Sequence, residues 1–271
     1  MDEVHDVEAS APQPKALNHD YFEGADFTKF DASLESMLKA GVHFGHVKSR
    51  RHPSMEPYIF TTRKNINILD LEQTEVKLNT AIEFLQGVVR AGKPVLFVGM
   101  KKQTHETVES LARRLGQHFV TDRWLGGTLT NFKQIRDRAK YLKDTQEKMA
   151  AGEFKKYTKF EQSRLNEEIE KLEKKVGGIK EMTEIPGAII LADAREADLV
   201  QREARVLGVP LIGIVDSNTD ARVIDYPIPG NDDAVSSLRL LLGALGKAID
   251  AVPARTTAQP EAAKPAAGDK K

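Results

Sequence analysis

None of the 271 residues is a cysteine. Disulfides, thiolate nucleophiles, thiol redox chemistry and cysteine-bound zinc are therefore excluded, and the chain suits a reducing compartment. No run approaches the roughly 18 apolar residues that a membrane helix needs. The N-terminus also lacks the basic-then-apolar layout of a secretory leader and is too acidic for a mitochondrial transit segment. A soluble, cytoplasmic protein is expected. Net charge is missing too, with 40 Lys and Arg against 40 Asp and Glu. No strand is followed by G-x-G-x-x-G or G-x-x-x-x-G-K-[ST], so no glycine cradle for a nucleotide phosphate is evident. No spacing links a nucleophile to a base and an oxyanion hole, so no catalytic residue is assigned and no enzyme is expected.

What is present is a chain 40% apolar and 30% charged, able to bury a real core. Its charge is uneven. Residues 1–31 hold eight acids against Lys15 and Lys29, while residues 252–271 carry a net +2, so residues 32–251 carry +4. An acidic end hides a mildly basic body. Both ends lack periodicity, and residues 1–31 and 252–271 are read as flexible extensions of a body spanning 32–251.

The densest local pattern is Ala40 to Lys64, AGVHFGHVKSRRHPSMEPYIFTTRK, with three histidines, five Lys or Arg and one acid, Glu56. Gly41, Gly45, Pro53 and Pro57 interrupt it, which predicts irregular structure with side chains offered outward to an anion. Nucleic acid is the leading partner class.

Downstream, short apolar runs alternate with helical patterns. Ile66 to Leu71 reads as the first strand, and a helix opens at Thr74. VLFV at 95–98 precedes a helix from about Gln103. AIILA at 188–192 precedes one from about Ala197, and LIGIV at 211–215 precedes a last helix from about Asp233. Continuous apolar strands alternating with helices predict a three-layer α/β domain around a parallel sheet, Rossmann-like or flavodoxin-like. From 131 to 176 no strand is predicted. Phe132, Ile135, Leu142, Leu165, Ile169, Leu172 and Val176 recur there at three- and four-residue steps, as in an inserted antiparallel coiled-coil hairpin turning near 150–159. Gly177 and Gly178 would end its second arm in a left-handed cap.

Lys101 and Lys102 stand at a strand end and helix start, where an anionic partner would offset an unfavourable helix dipole. Asp193 and Asp216 end two strands, with His43 and His46 near them. These can form a divalent-cation site, but turn and cap roles explain the aspartates as well, so His46, Asp193 and Asp216 remain candidates and no metal or cofactor is assigned. RWLGGTLTNFKQIR, 123–136, joins a packed Trp124 to a second basic surface of Arg123, Asn131, Lys133 and Arg136. YPIPGNDDA, 226–234, reads as a rigid turn into an acid-capped helix.

AGVHFGH (40–46), P-x-M-x-PYIF (53–60), FVG-x-KKQ (97–103), RWLGGTLTNF (123–132), GGIKEM (177–182), REAR-x-LGVP (202–210), IVDSNTD (214–220) and YPIPGNDDA (226–234) together resemble, in this order, the bacterial ribosomal protein S2 family. The resemblance runs from about Leu34 to Leu245. Arg51, His52 and Ser54 stand where that family commonly has Trp, Asn and Lys, and Met100 stands where it has Thr. The resemblance implies a non-enzymatic constituent of the small ribosomal subunit, a parallel α/β body with a protruding hairpin. The partners it implies are 16S rRNA, neighbouring ribosomal proteins and the mRNA-binding protein S1. Neither membrane nor DNA is expected as a partner, nor self-association. The RNA-binding expectation falls on Lys48, Arg50, Arg51, Arg63, Lys64, Lys101, Lys102, Arg123, Asn131, Lys133 and Arg136. A competing reading is a flavodoxin-like nucleotide-binding protein or enzyme that uses the crevice near Asp193 and Asp216.

Overall fold

Runs such as VLFV, AIIL and LIGIV have no polar residue to turn toward water, so they are stable only when covered on both faces. In a computed structural model, which describes Phe22 and residues 30–252, all three are fully buried strands. They are β4 (Val95–Val98), β6 (Ala188–Leu191) and β7 (Leu211–Val215). With β5 (His118–Val120) and β8 (Tyr226–Pro229) they form a parallel sheet of order β5-β4-β6-β7-β8. Counted within this sheet, the order is 2-1-3-4-5, the flavodoxin arrangement, which reverses direction between β4 and β6.

Side-chain alternation divides the core in two. Val95, Phe97, Ile190, Ile212 and Ile214 join the apolar stripes of α2 (Leu71–Arg90), α3 (Lys102–Arg114) and α7 (Val235–Asp250). Leu96, Val98, Ile189, Leu191 and Val215 face Val200 and Ala204 of α6 (Asp198–Leu207), and with them Trp124 and Met55. Ile135 and Leu142 of α4 (Phe132–Ala150) and Ile169 and Val176 of α5 (Lys159–Val176) belong to this second layer, where the two helices pack on each other. Thr158 and Glu161 form a reciprocal capping box that starts α5.

Several expectations are corrected. Ile66 to Leu69 is not a strand of the parallel sheet. It is β3, the centre of an antiparallel sheet of order β1-β3-β2, with β1 at Phe44–Val47 and β2 at Ile59–Arg63. A two-residue hairpin at Lys64 and Asn65, both at positive φ (47° and 66°), folds β3 back onto β2 before any crossover can form. Segment 40–64 is accordingly more regular than expected: it supplies two strands and buries Met55 completely. α2 starts at Leu71 rather than Thr74 because Asp70 caps it, accepting from the Glu72 amide at 3.0 Å. Tyr226–Pro229 is an edge strand rather than a turn, the sheet position where prolines are tolerated. Gly177 has right-handed helical geometry, not a left-handed cap. Gly178 is required for another reason: a Cβ there would lie 2.2 Å from the Phe119 carbonyl oxygen.

Of the expected N-terminal extension, Phe22, Phe30 and Asp31 are described, Asp31 as an exposed residue. The two phenylalanines pack on the α2, α3 and α7 side of the core, with ring centroids 5.6 Å apart. The rest of that segment, and the expected tail beyond Val252, lies outside the described residues. No helix among the described residues is long and apolar enough to cross a membrane.

Candidate nucleic-acid interface and the buried acid cluster

Lys48 and Arg50 are exposed on a short 3-10 turn at Lys48–Arg50, directly after β1, and Arg63 and Lys64 are exposed at the β2–β3 hairpin. The Lys48 amide donates to the Asn65 carbonyl at 2.9 Å, so the two cationic groups sit on neighbouring ends of one small sheet. Arg51 is half-buried and lies 3.4 Å from Glu56. A second exposed group, Arg123, Asn131, Lys133 and Arg136, surrounds the start of α4. That helix has neither a side-chain cap nor an acid in its first turn, so its amide dipoles and its cations have the same sign.

The loop before α4 is held by a residue that the sequence reading overlooked. Glu203 of α6 accepts from the Trp124 indole (3.1 Å) and the Gly127 amide (2.8 Å) through Oε1. Through Oε2 it accepts from the Leu129 amide (2.9 Å) and from the amide and hydroxyl of Thr130 (each 3.2 Å). Burial pushes its carboxyl up, but the Leu129, Gly127 and Thr130 amides and the indole outweigh burial and leave it below the ordinary glutamate value. A signal was available: Glu203 lies on the stripe of Val200 and Ala204, an acid at a core-facing helical position. Trp124 is 3% exposed, a packing residue.

At the carboxyl edge of the parallel sheet the strand ends converge. Asp193 follows β6, Asp216 follows β7, and Asp232 and Asp233 follow β8. Lys101 is inward-facing here: its ammonium donates to Asp232 Oδ1 at 2.7 Å and to Asp233 Oδ1 at 2.9 Å. Its backbone amide donates to Asp193 across the β4–β6 reversal point. Neighbouring Lys102 is exposed. Asp232 and Asp233 do not cap α7, whose N-cap is Ala234 with no side-chain bond. Burial pushes Asp193 up to about 7. Burial and the nearby Asp216 push Asp232 up to about 6.

The antiparallel sheet covers this edge. The His46 amide donates to Ser217 Oγ and the His52 amide to the Ser217 carbonyl, both at 2.8 Å, and the Asn231 amide donates to the Val42 carbonyl at 3.0 Å. A Cβ on Gly45 would fall 2.8 Å from Ser217 Oγ, so the approach requires glycine. His46 lies with Nδ1 2.9 Å from Asp216 Oδ2 and Nε2 3.3 Å from Asp233 Oδ2, and the bond to Asp216 raises its pKa. His43 instead packs against Phe44 with the rings tilted by 39°, and burial lowers its pKa. His52 accepts from the Ser54 amide and caps the Pro53–Tyr58 turn. The crevice where a flavodoxin-like protein would hold a nucleotide is thus filled by Lys101 and roofed by β1. The structure places Asp216 and His46 in contact but sets Asp193 apart, on the Lys101 amide.

The family described as ribosomal protein S2 matches residues 37–251. Two curated relatives are each 48% identical over 216 residues, 80% of this chain and 82% of theirs. Both are described as small ribosomal subunit protein uS2, one from Roseiflexus sp. (strain RS-1) and one from Roseiflexus castenholzii.

Proposed function

The chain belongs to the ribosomal protein S2 family, and from that premise we propose that it is a structural, non-enzymatic constituent of the cytoplasmic small ribosomal subunit that grips 16S rRNA. The observation that carries the RNA contact is the set of exposed cations mounted on fixed elements. Lys48, Arg50, Arg63 and Lys64 ride on the small antiparallel sheet, with Arg51 beside them. Arg123, Asn131, Lys133 and Arg136 surround the uncapped start of α4, a geometry suited to backbone phosphates. Lys102 extends this set. Lys101, whose ammonium is engaged by two carboxylates, serves the fold.

In this reading α4 and α5 act as a coiled-coil hairpin inserted at 131–176, available to neighbouring ribosomal proteins. The body spans 32–251, residues 1–31 and 252–271 act as extensions, and the assembled subunit offers a docking place for protein S1. The protein works as a single copy, with neither DNA nor membrane as a partner.

The test is binding of 16S rRNA as a function of salt. Affinity should fall steeply as salt rises, and each of K48A, R63A, K133A and R136A should reduce the slope of log K against log salt by about one. K101A should change folding stability more than this slope. Affinity that does not respond to salt would refute the phosphate-contact reading.

A further inference from the structure

On the edge of the parallel sheet opposite the acid cluster, the end of α6 and the first residues of β7 and β8 enclose a pocket of about 340 Å³, at the lower end of the range for small organic ligands. Val209, Pro210 and Val223 give it an apolar wall. Tyr226 adds a ring held in place by stacking on Phe84, with centroids 4.2 Å and planes 15° apart. None of the cations assigned to RNA lines it. A bare inorganic ion would leave most of that volume, and the apolar wall, unused.

The charged residues of the lining are Arg205, Arg222 and Asp225. Arg205 is exposed in the last turn of α6 and has no carboxylate partner among the described residues. Arg222 donates to Asp220 through Nε and Nη2, each at 2.9 Å, which fixes the plane of its guanidinium and leaves Nη1 unengaged among the described residues. Asp225 takes the Leu211 amide on Oδ2 at 2.8 Å, and its Oδ1 is an acceptor with no donor among the described residues. With Asp220 counted, the local charges cancel. Recognition here therefore rests on directed donors and one acceptor rather than on net charge.

A matching ligand carries an anionic group for the guanidinium forks, an N–H donor for Asp225 and a flat apolar body for the wall between them. The geometry points to a nucleoside monophosphate, free or as the 5′-terminal residue of an RNA strand, with its phosphate on Arg205 and Arg222 and the exocyclic amino group of its base on Asp225. Phosphate suits the planar two-bond geometry of arginine. Adenine, cytosine and guanine carry such an amino group, whereas uracil offers only carbonyl oxygens at that place, which a carboxylate repels. The pocket lies at the amino edge of the sheet, not at the carboxyl edge where this fold usually holds nucleotides, and no reaction is assigned to it. This inference does not depend on the ribosomal role.

Isothermal titration calorimetry of the full chain at one fixed salt concentration, with AMP, UMP, adenosine and inorganic phosphate, tests it. AMP should bind saturably with one site per chain. UMP, adenosine and inorganic phosphate should each bind about tenfold or more weakly, since each lacks one of the matched groups. R205A should lose about tenfold or more for AMP while leaving adenosine unchanged, and D225N should bring AMP and UMP to similar affinity. V223W, which fills the pocket, should abolish binding, and K39A, which removes an exposed lysine of the Leu34–Ala40 helix, should bind as wild type. A 5′-phosphorylated tetra-adenylate that competes with AMP supports the strand end as ligand, and one that does not supports the free nucleotide. Circular dichroism checks that each variant is folded, and R205A, at an exposed position, serves if V223W is not. Absence of saturable AMP binding, AMP affinity unchanged in folded R205A or V223W, or UMP bound as tightly as AMP would overturn the proposal.

Discussion

Glu203 and Asp232 are both buried carboxylates, and the chain treats them in opposite ways. Glu203 receives five hydrogen bonds from one short loop, and its charged form is favoured. Among the described residues, Asp232 receives one lysine on one oxygen and nothing on the other, and burial beside Asp216 disfavours its charge. Desolvation acts on both. Whether donors or like charges surround the group decides the outcome. A carboxylate saturated by its own chain keeps its charge, whereas an under-coordinated one in a crowd of acids is pushed toward its neutral form.

The comparison can be broken most directly at Glu203. In E203Q an amide NH2 must face donors that need an acceptor, which should cost about 3 kcal/mol, measured by urea unfolding. If the loss is below 1 kcal/mol, Glu203 is not the organiser of the 123–130 loop. Next in size, G45A forces a methyl group against Ser217 and should cost about 1–3 kcal/mol.

The smallest effect sharpens the contrast through pH. Asp193 is raised from 3.8 to about 7, so its contribution to stability is complete below its unfolded value and is lost as pH rises through about 7. Between pH 5 and 8 the wild type should lose stability that D193N retains, seen as a flatter Tm profile. Glu203 is lowered from 4.5, so its contribution is present above that value and is lost as pH falls through its folded value. E203Q should therefore lack the wild-type loss on the acid side. A D193N profile parallel to wild type would mean that Asp193 does not titrate in this range.

Much of the α/β body was legible. VLFV, AIIL and LIGIV state their burial in four or five residues, because no register of such a run presents a polar face to water. The helical stripes of α2, α6 and α7 were legible for the same kind of reason. β5 and β8 were not: three residues at His118–Val120 and a proline-rich edge at Tyr226–Pro229 have no periodicity of their own, and only neighbouring strands define them. The 40–64 segment announced its cations but not its inward half. Met55, His46 and Gly45 are specified by what they meet, and those partners lie far along the chain. Of the expected cation-site residues, His46 and Asp216 do meet. Asp232 and Asp233 read as helix caps because the local sequence offers them a sufficient local role.

By itself the sequence determined where apolar runs must be buried, where cations cluster along the chain, and which motifs resemble the ribosomal family, since each depends on residues near one another in the chain. Tertiary structure alone decided that Lys101 turns inward, that Glu203 gathers a loop from 73 to 79 residues away, and that β1 roofs the sheet edge. These outcomes depend on electrostatic and steric matches between distant segments, and a charged residue carries no local mark of which distant partner will satisfy it.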